Sequence, residues 1–245
     1  MILIIYVVIG ALIAVLLNYL ADVLPETRKF SRPNCRNCGH AFTAKEYLFS
    51  FRCPDCKIKP SKRYWIVLIA GIVGSLLLVF FPMNRLSFWV SLPLVTFLAL
   101  VTIIDVEYKA VLVETDIAGF IIGIVYGLIL HRPLEMILGG IAGAGIMLIL
   151  YYGGILFNKV MGKIRHQTIE EVALGLGDVF VCSYLGLIMG WPHIAGMLII
   201  AVLAAGVFSL GYIVYKLITK KYSAFSAIPY VPFLIIGAIT MFYLQ

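Results

Sequence analysis

The chain has 245 residues, 62% of them hydrophobic and only 13% charged, with a mean hydropathy of +1.05. That balance leaves too little polar surface to solvate a globule of this size, and it excludes a water-soluble enzyme or binding module. The formal charge of +7 is concentrated in loops, mostly in one, and reads as membrane-surface charge and not as a nucleic-acid footprint.

A helix that crosses a bilayer needs about 20 apolar residues, and the runs of this chain meet that in order. Residues 1–21 are uncharged, lack a basic leader region and exceed a typical signal-peptide core. They are expected to persist as a first transmembrane helix, with residues 1–24 as its domain. Residues 25–63 form a polar, cysteine-containing loop domain, and residues 64–245 a membrane domain of seven further helices. Its runs are 64–84, 87–104, 117–130 and 136–158, then two that follow Asp178 and part at Gly190-Trp191-Pro192-His193, then 222–245. The 117–130 run is short and is expected to continue past His131 and Arg132, with the arginine snorkelling. The fold class is therefore an all-α polytopic membrane protein with about eight transmembrane helices and a small zinc-binding cytoplasmic loop domain after the first.

Orientation follows from basic residues in alternate loops. With the N-terminus outside, residues 25–63, 105–116, 158–173 and 216–224 face the cytoplasm and hold 10, 1, 3 and 3 of the 19 Lys and Arg. Only Arg85 and Arg132 lie on the other side, as the positive-inside rule requires.

The first loop contains CRNC, with Cys35 and Cys38, and CPDC, with Cys53 and Cys56. Two CxxC pairs can close four thiolates around one tetrahedral zinc, and a reducing compartment disfavours the disulfide alternative. Four cysteine ligands leave no open position, so the zinc is expected to be structural, supplying folding energy to a loop too small for its own core. Cys182, in an apolar run, reads as a small filler.

Two carboxylates stand out by position. Asp105 closes the run SFWVSLPLVTFLALVTII, where a negative charge opposes the helix dipole. Asp178, in GLGDVF, is followed by only 12 residues from Val179 through Gly190, so its helix must begin upstream and draw the carboxylate toward the membrane. The competing reading of Asp178 is a helix N-cap. Gly175 and Gly177 would permit close backbone approach beside it. Two crossings separate Asp105 from Asp178, so both return to one membrane face. Paired carboxylates in a low-dielectric cleft suit aspartic proteolysis, one activating water and its protonated partner polarising a carbonyl, though transporters also keep intramembrane aspartates.

Blander readings cover the remaining polar residues. Asp116 is expected to cap the following helix. His40, His131, His166 and His193 are scattered without ligand spacing and are expected at the surface. GGIAGAG, residues 139–145, reads as close helix packing. Trp65, Trp89 and Trp191 read as interfacial anchors.

GLGD opening one helix, TIID closing an earlier one, the double-CxxC loop followed by SKRYW, LLNYLADVLPE in the first helix and IPYVPFLIIG near the end together resemble the prepilin peptidases. That family comprises GxGD aspartic proteases of the bacterial inner membrane that serve type IV pili and type II secretion. The resemblance implies Asp105 and Asp178 as the catalytic pair. It also implies cleavage of a short basic leader from prepilins or pseudopilins at the cytoplasmic face. Asp22, Glu26, Glu46, Asp55, Glu107, Glu114, Glu170 and Glu171 are candidate partners for leader lysines, each more simply a solvated charge. Many members also N-methylate the new N-terminus with S-adenosylmethionine. The chain departs from the family pattern at Phe180, where a lysine is usual, at Leu68, where a glutamate is usual, and at VLVETD in place of Leu-Pro-Asp. These departures weigh against that second activity and its cofactor. The alternative is a noncatalytic membrane scaffold of a pilus or secretion assembly, derived from such a protease. Membrane lipids are expected partners, nucleic acid is not, and the oligomeric state is open.

Overall fold

The computed structural model describes residues 2–244 apart from 36, 50–52, 59–60, 166–173 and 220–228. Regular structure among them is helical, with one isolated bridge between Asn34 and Ala41. The chain divides into two compact units, Met1–Ile104 and Asp105–Gln245.

The first unit contains α1 (Ile2–Thr27), a short α2 (Ala44–Phe49), α3 (Lys62–Phe80) and all but the last turn of α4 (Phe88–Tyr108). Ala14, Leu17, Asn18 and Ala21 recur at helical spacing on α1 and are all buried, a stripe that sets its inner face. Two polar stitches bind α1 to α3. The Asn18 amide donates to the Tyr64 carbonyl at 3.4 Å as well as to Ala14 O at 3.0 Å, and the Ser75 hydroxyl donates to Tyr6 O at 2.9 Å. Such bonds satisfy polar groups that lipid cannot. α1 ends where Arg28 turns left-handed, φ 53°, and its N–H donates to Leu24 O at 3.0 Å.

The second unit holds α5 (Val113–Leu130), α6 (Pro133–Arg165), α7 (Leu176–Met189), α8 (His193–Ile218) and α9 (Val231–Leu244). α7 is its centre: Val181, Cys182, Tyr184, Leu185, Ile188 and Met189 are fully buried. α6 reaches α7 through Gly139, where a side chain would strike the Gly186 backbone, so the helices cross nearly backbone to backbone. The glycine-rich run of α6 is thus a packing surface, as its spacing suggests.

Six of these helices, α1, α3, α4, α5, α6 and α8, are long and apolar enough to cross a membrane. α7 and α9 have 14 residues each, about 21 Å at 1.5 Å per residue against a hydrocarbon core of about 30 Å. Among the described residues, then, six of the eight expected spans have full membrane length and two are short apolar helices. A helix enclosed by protein, as α7 is, need not match the lipid thickness, because its neighbours and not lipid satisfy its ends. The expected start of the last helix near residue 222 lies outside the described residues.

Candidate active site and metal-binding loop

Asp105 lies in the last turn of α4, and its backbone carbonyl accepts the N–H of Lys109 at 2.8 Å, where a positive φ of 50° stops the helix. The residue is 5% exposed. Its carboxylate faces the backbone N–H of Val231, the first residue of α9, where the helix dipole favours a negative charge. Oδ2 is buried without a hydrogen-bond partner among the described residues. Burying a carboxylate oxygen without a partner is costly.

Asp178 stands in the first turn of α7, three residues after the N-cap Gly175. Its Oδ2 accepts the Gly175 N–H at 2.9 Å, and its own N–H donates to Gly175 O at 3.2 Å. The simple N-cap alternative is therefore corrected by one turn: the carboxylate reaches back to the cap from inside the helix and is itself buried. Gly177 allows Val111 to close on this turn, since a Cβ there would lie 2.7 Å from Val111 Cγ2. The segment leading from Asp105 into α5 is thereby packed against the turn that carries Asp178. A Cβ on Gly175 would meet Asp178 Oδ2 at an ordinary 3.7 Å, and the glycine's part is the N–H given to Asp178. The carboxylates of Asp105 and Asp178, 73 positions apart in sequence, lie within each other's electrostatic field in one compact unit.

Sequence reasoning missed two neighbours. Asp116 is not the cap of α5; Leu112 is, and Asp116 is the fourth helical residue, 8% exposed, with Oδ1 unpartnered among the described residues. Tyr184 of α7 is fully buried, interacts electrostatically with both Asp116 and Asp105, and lays its ring against Gly119, one turn from Asp116. The available signal was a phenol inside an apolar run six residues beyond Asp178. Cys182 is buried as expected of a filler. Phe180 is 46% exposed and meets Phe120 edge-on, ring centroids 6.5 Å apart.

Two histidine expectations are corrected. The His131 side chain is 3% exposed, and its ring lies 5.7 Å from that of His193, whose Nδ1 is buried. They meet because the α5–α6 connection packs on Gly190, which no local spacing reveals. His40 is also engaged, between Asp55 at 2.8 Å and Glu46 at 3.5 Å. Burial works against its cation, but the two carboxylates outweigh that and raise its pKa above the ordinary value. His166 lies outside the described residues.

Several acids expected as solvated charges hold the loop together instead. Asp22 receives Arg63 Nη2 at 2.6 Å and the Tyr47 hydroxyl at 2.9 Å, joining α1, α2 and α3. Glu46 accepts the Thr43 N–H at 2.8 Å while its own N–H reaches Thr43 Oγ1 at 3.4 Å, a reciprocal cap on α2. The Thr43 N–H holds the Glu46 carboxyl below its usual range. Glu114 has one buried carboxylate oxygen, and Glu26 and Glu107 each have an interaction. Glu170 and Glu171 lie outside the described residues.

The four loop cysteines converge. Cys35, Cys38, Cys53 and Cys56 place their Sγ atoms within 4.8 Å of one another, with Cys35 to Cys56 at 3.6 Å and Cys38 to Cys53 at 3.5 Å. Four thiolates at a Zn–S length of about 2.3 Å would be separated by about 3.8 Å, so the donor set fits a zinc loop. The two halves repeat one backbone pattern. Cys35 N–H donates to His40 O at 2.8 Å and accepts from Gly39 N–H through its carbonyl at 2.8 Å; Cys53 does the same with Ile58 at 3.0 Å and Lys57 at 2.9 Å. Backbone N–H groups of Cys38 and Asn37 lower the pKa of the Cys35 thiol, while burial and the neighbouring thiols raise that of Cys38.

Residues 92–210 match the family model described as the type IV leader peptidase family. A prepilin leader peptidase/N-methyltransferase of Myxococcus xanthus (strain DK1622) is 24% identical over 209 residues, covering 79% of this chain and 58% of that protein. The chain thus spans little more than half the length of the curated relative it matches. No solved structure matches. Asp105 and Asp178 both fall inside the matched stretch, over which the chain is similar to the type IV leader peptidase family.

Proposed function

We propose that the chain is a prepilin-type leader peptidase of the bacterial inner membrane, with Asp105 and Asp178 as its aspartic dyad. The observation that supports this reading is that two carboxylates 73 positions apart are both buried in one compact unit, inside the stretch similar to leader peptidases. In such a dyad one carboxylate takes a proton from water as it attacks the scissile carbonyl, and the other carboxyl donates to the carbonyl oxygen. No covalent intermediate is required.

The substrate class proposed is a type IV prepilin or pseudopilin, whose basic leader is cut at the cytoplasmic face while its apolar helix stays in the bilayer. An N-out orientation is supported by the 17 of 19 basic residues assigned to cytoplasmic loops. Cys35, Cys38, Cys53 and Cys56 would hold a structural zinc, which when bound supplies folding energy to the loop. N-methylation with S-adenosylmethionine is left out of the proposal, given Phe180 and Leu68.

The test is co-expression with a cognate prepilin, the leader followed by mobility shift. The unmodified chain should process it, and Asp105→Asn and Asp178→Asn should each lower the rate on the order of a thousandfold or more. Processing that survives in both variants sinks the dyad, and an inert unmodified chain favours the scaffold.

A further inference from the structure

An open cleft of about 720 Å³ runs along α1 within the first unit. Its helical wall is Leu12, Val15, Leu16 and Tyr19, one stripe at helical spacing. The facing wall is the chain that returns after α1, where left-handed Arg28 reverses direction and carries Phe30 and Arg32 back over the helix. The Tyr19 hydroxyl donates to Ser31 O at 2.9 Å and the Tyr47 hydroxyl to Asp22 at 2.9 Å, so the two walls are fastened to each other.

Polarity is ordered along the cleft. Leu12 and Leu16, 63% and 48% exposed, form the apolar floor. Leu12 is ten residues from Asp22, about 15 Å along the helix and at hydrocarbon depth for a membrane span. Above it is an aromatic collar in which Tyr47 meets Tyr19 and Phe42 edge-on, each at 6.2 Å. Arg32 stands at the mouth, and no carboxylate among the described residues pairs with it. Apolar floor, aromatic collar and free guanidinium follow the order of acyl chain, glycerol region and phosphate in a phospholipid. The same cation, with Arg28 and Lys29 beside it in sequence, repels a basic peptide leader.

We infer that this cleft binds one anionic phospholipid, its acyl chain along Leu12 and Leu16 and its phosphate on Arg32. The inference does not depend on the proteolytic reading.

The full chain is reconstituted in nanodiscs of phosphatidylcholine doped with phosphatidylglycerol, transferred to neutral detergent, and its retained lipid counted by native mass spectrometry. One phosphatidylglycerol per chain is expected in preference to phosphatidylcholine. Arg32→Gln should reduce that retention about fivefold, the effect of one interfacial cation. Leu16→Trp, which fills the floor, should abolish it, with circular dichroism and metal content unchanged in both variants. Equal retention of the two lipids, or retention unmoved by either variant, overturns the inference. Displacement by inorganic phosphate would mark a free-anion site and also overturns it. So does a photo-crosslinker at position 16 that captures a co-expressed prepilin helix in place of lipid.

Discussion

Gly39 and Lys57 occupy the same place in the two cysteine knuckles, each the residue after the second cysteine and each left-handed, with φ of 74° and 55°. Their N–H groups make the same bond, back to the carbonyl of the first cysteine, at 2.8 and 2.9 Å. A left-handed residue with a Cβ carries a penalty of about 1–2 kcal/mol that glycine avoids. Lys57→Gly should therefore tighten the metal-loaded loop by about 1 kcal/mol, less the added freedom of the unfolded chain. Gly39→Val should loosen it by at least as much. Chelator competition monitored by metal release checks both, and equal release from Lys57→Gly and the unmodified protein counts against the strain argument.

Asp22 holds Arg63 and Tyr47 with its two oxygens, and the side chains of the ion pair are only 26% and 14% exposed. Asp22→Ala removes both bonds and leaves the guanidinium half-enclosed. The loss should be about 2 kcal/mol, below that of a fully buried pair because water still reaches the carboxylate. Asp22→Asn keeps one acceptor and should recover part of it. Limited proteolysis of the loop between α1 and α3 reads the difference, and indistinguishable cleavage of the two variants refutes the shared-anchor role.

Removing the metal should unfold the loop and spare the second unit. Of the four loop thiols Cys38 is exposed, Cys35 and Cys56 are half-buried, and Cys53 is buried. Cys53→Ser, which deletes a buried ligand, should lower bound metal and open the loop to protease. Helical circular dichroism should change little, because α5 to α9 form their own compact unit. A collapse of the whole helical signal would show that the two units fold as one.

The sequence made visible those features that follow from composition or fixed spacing. Apolar runs located the helices, CxxC spacing located the thiol cluster, and an acid at each end of two apolar runs singled out Asp105 and Asp178. Tertiary facts were not visible. α7 is short because protein surrounds it, and Asp116 reads as a cap because the burial of its face depends on α7. His131 and His193 meet only through the packing of two connections. Asp22 looks solvated in a string of residues because Arg63, its partner, is 41 positions away.

Gly177 offers the sharpest test of how the turn of Asp178 is held. A methyl group there would fall 2.7 Å from Val111 Cγ2 and 2.9 Å from Val111 Cβ, closer than real carbon contacts allow, so one segment must move. Displacement of a catalytic group by about 1 Å can cost about a hundredfold in rate. On the proposed mechanism, Gly177→Ala should cut leader cleavage ten- to a hundredfold while leaving the helices folded. Val111→Gly in the same chain removes both Cγ2 and Cβ and should restore most of the rate, since the two positions share one contact and their effects are not additive. Cleavage assays on the single and double variants decide it. A double variant as slow as Gly177→Ala alone would mean that the glycine serves some need other than clearance for Val111.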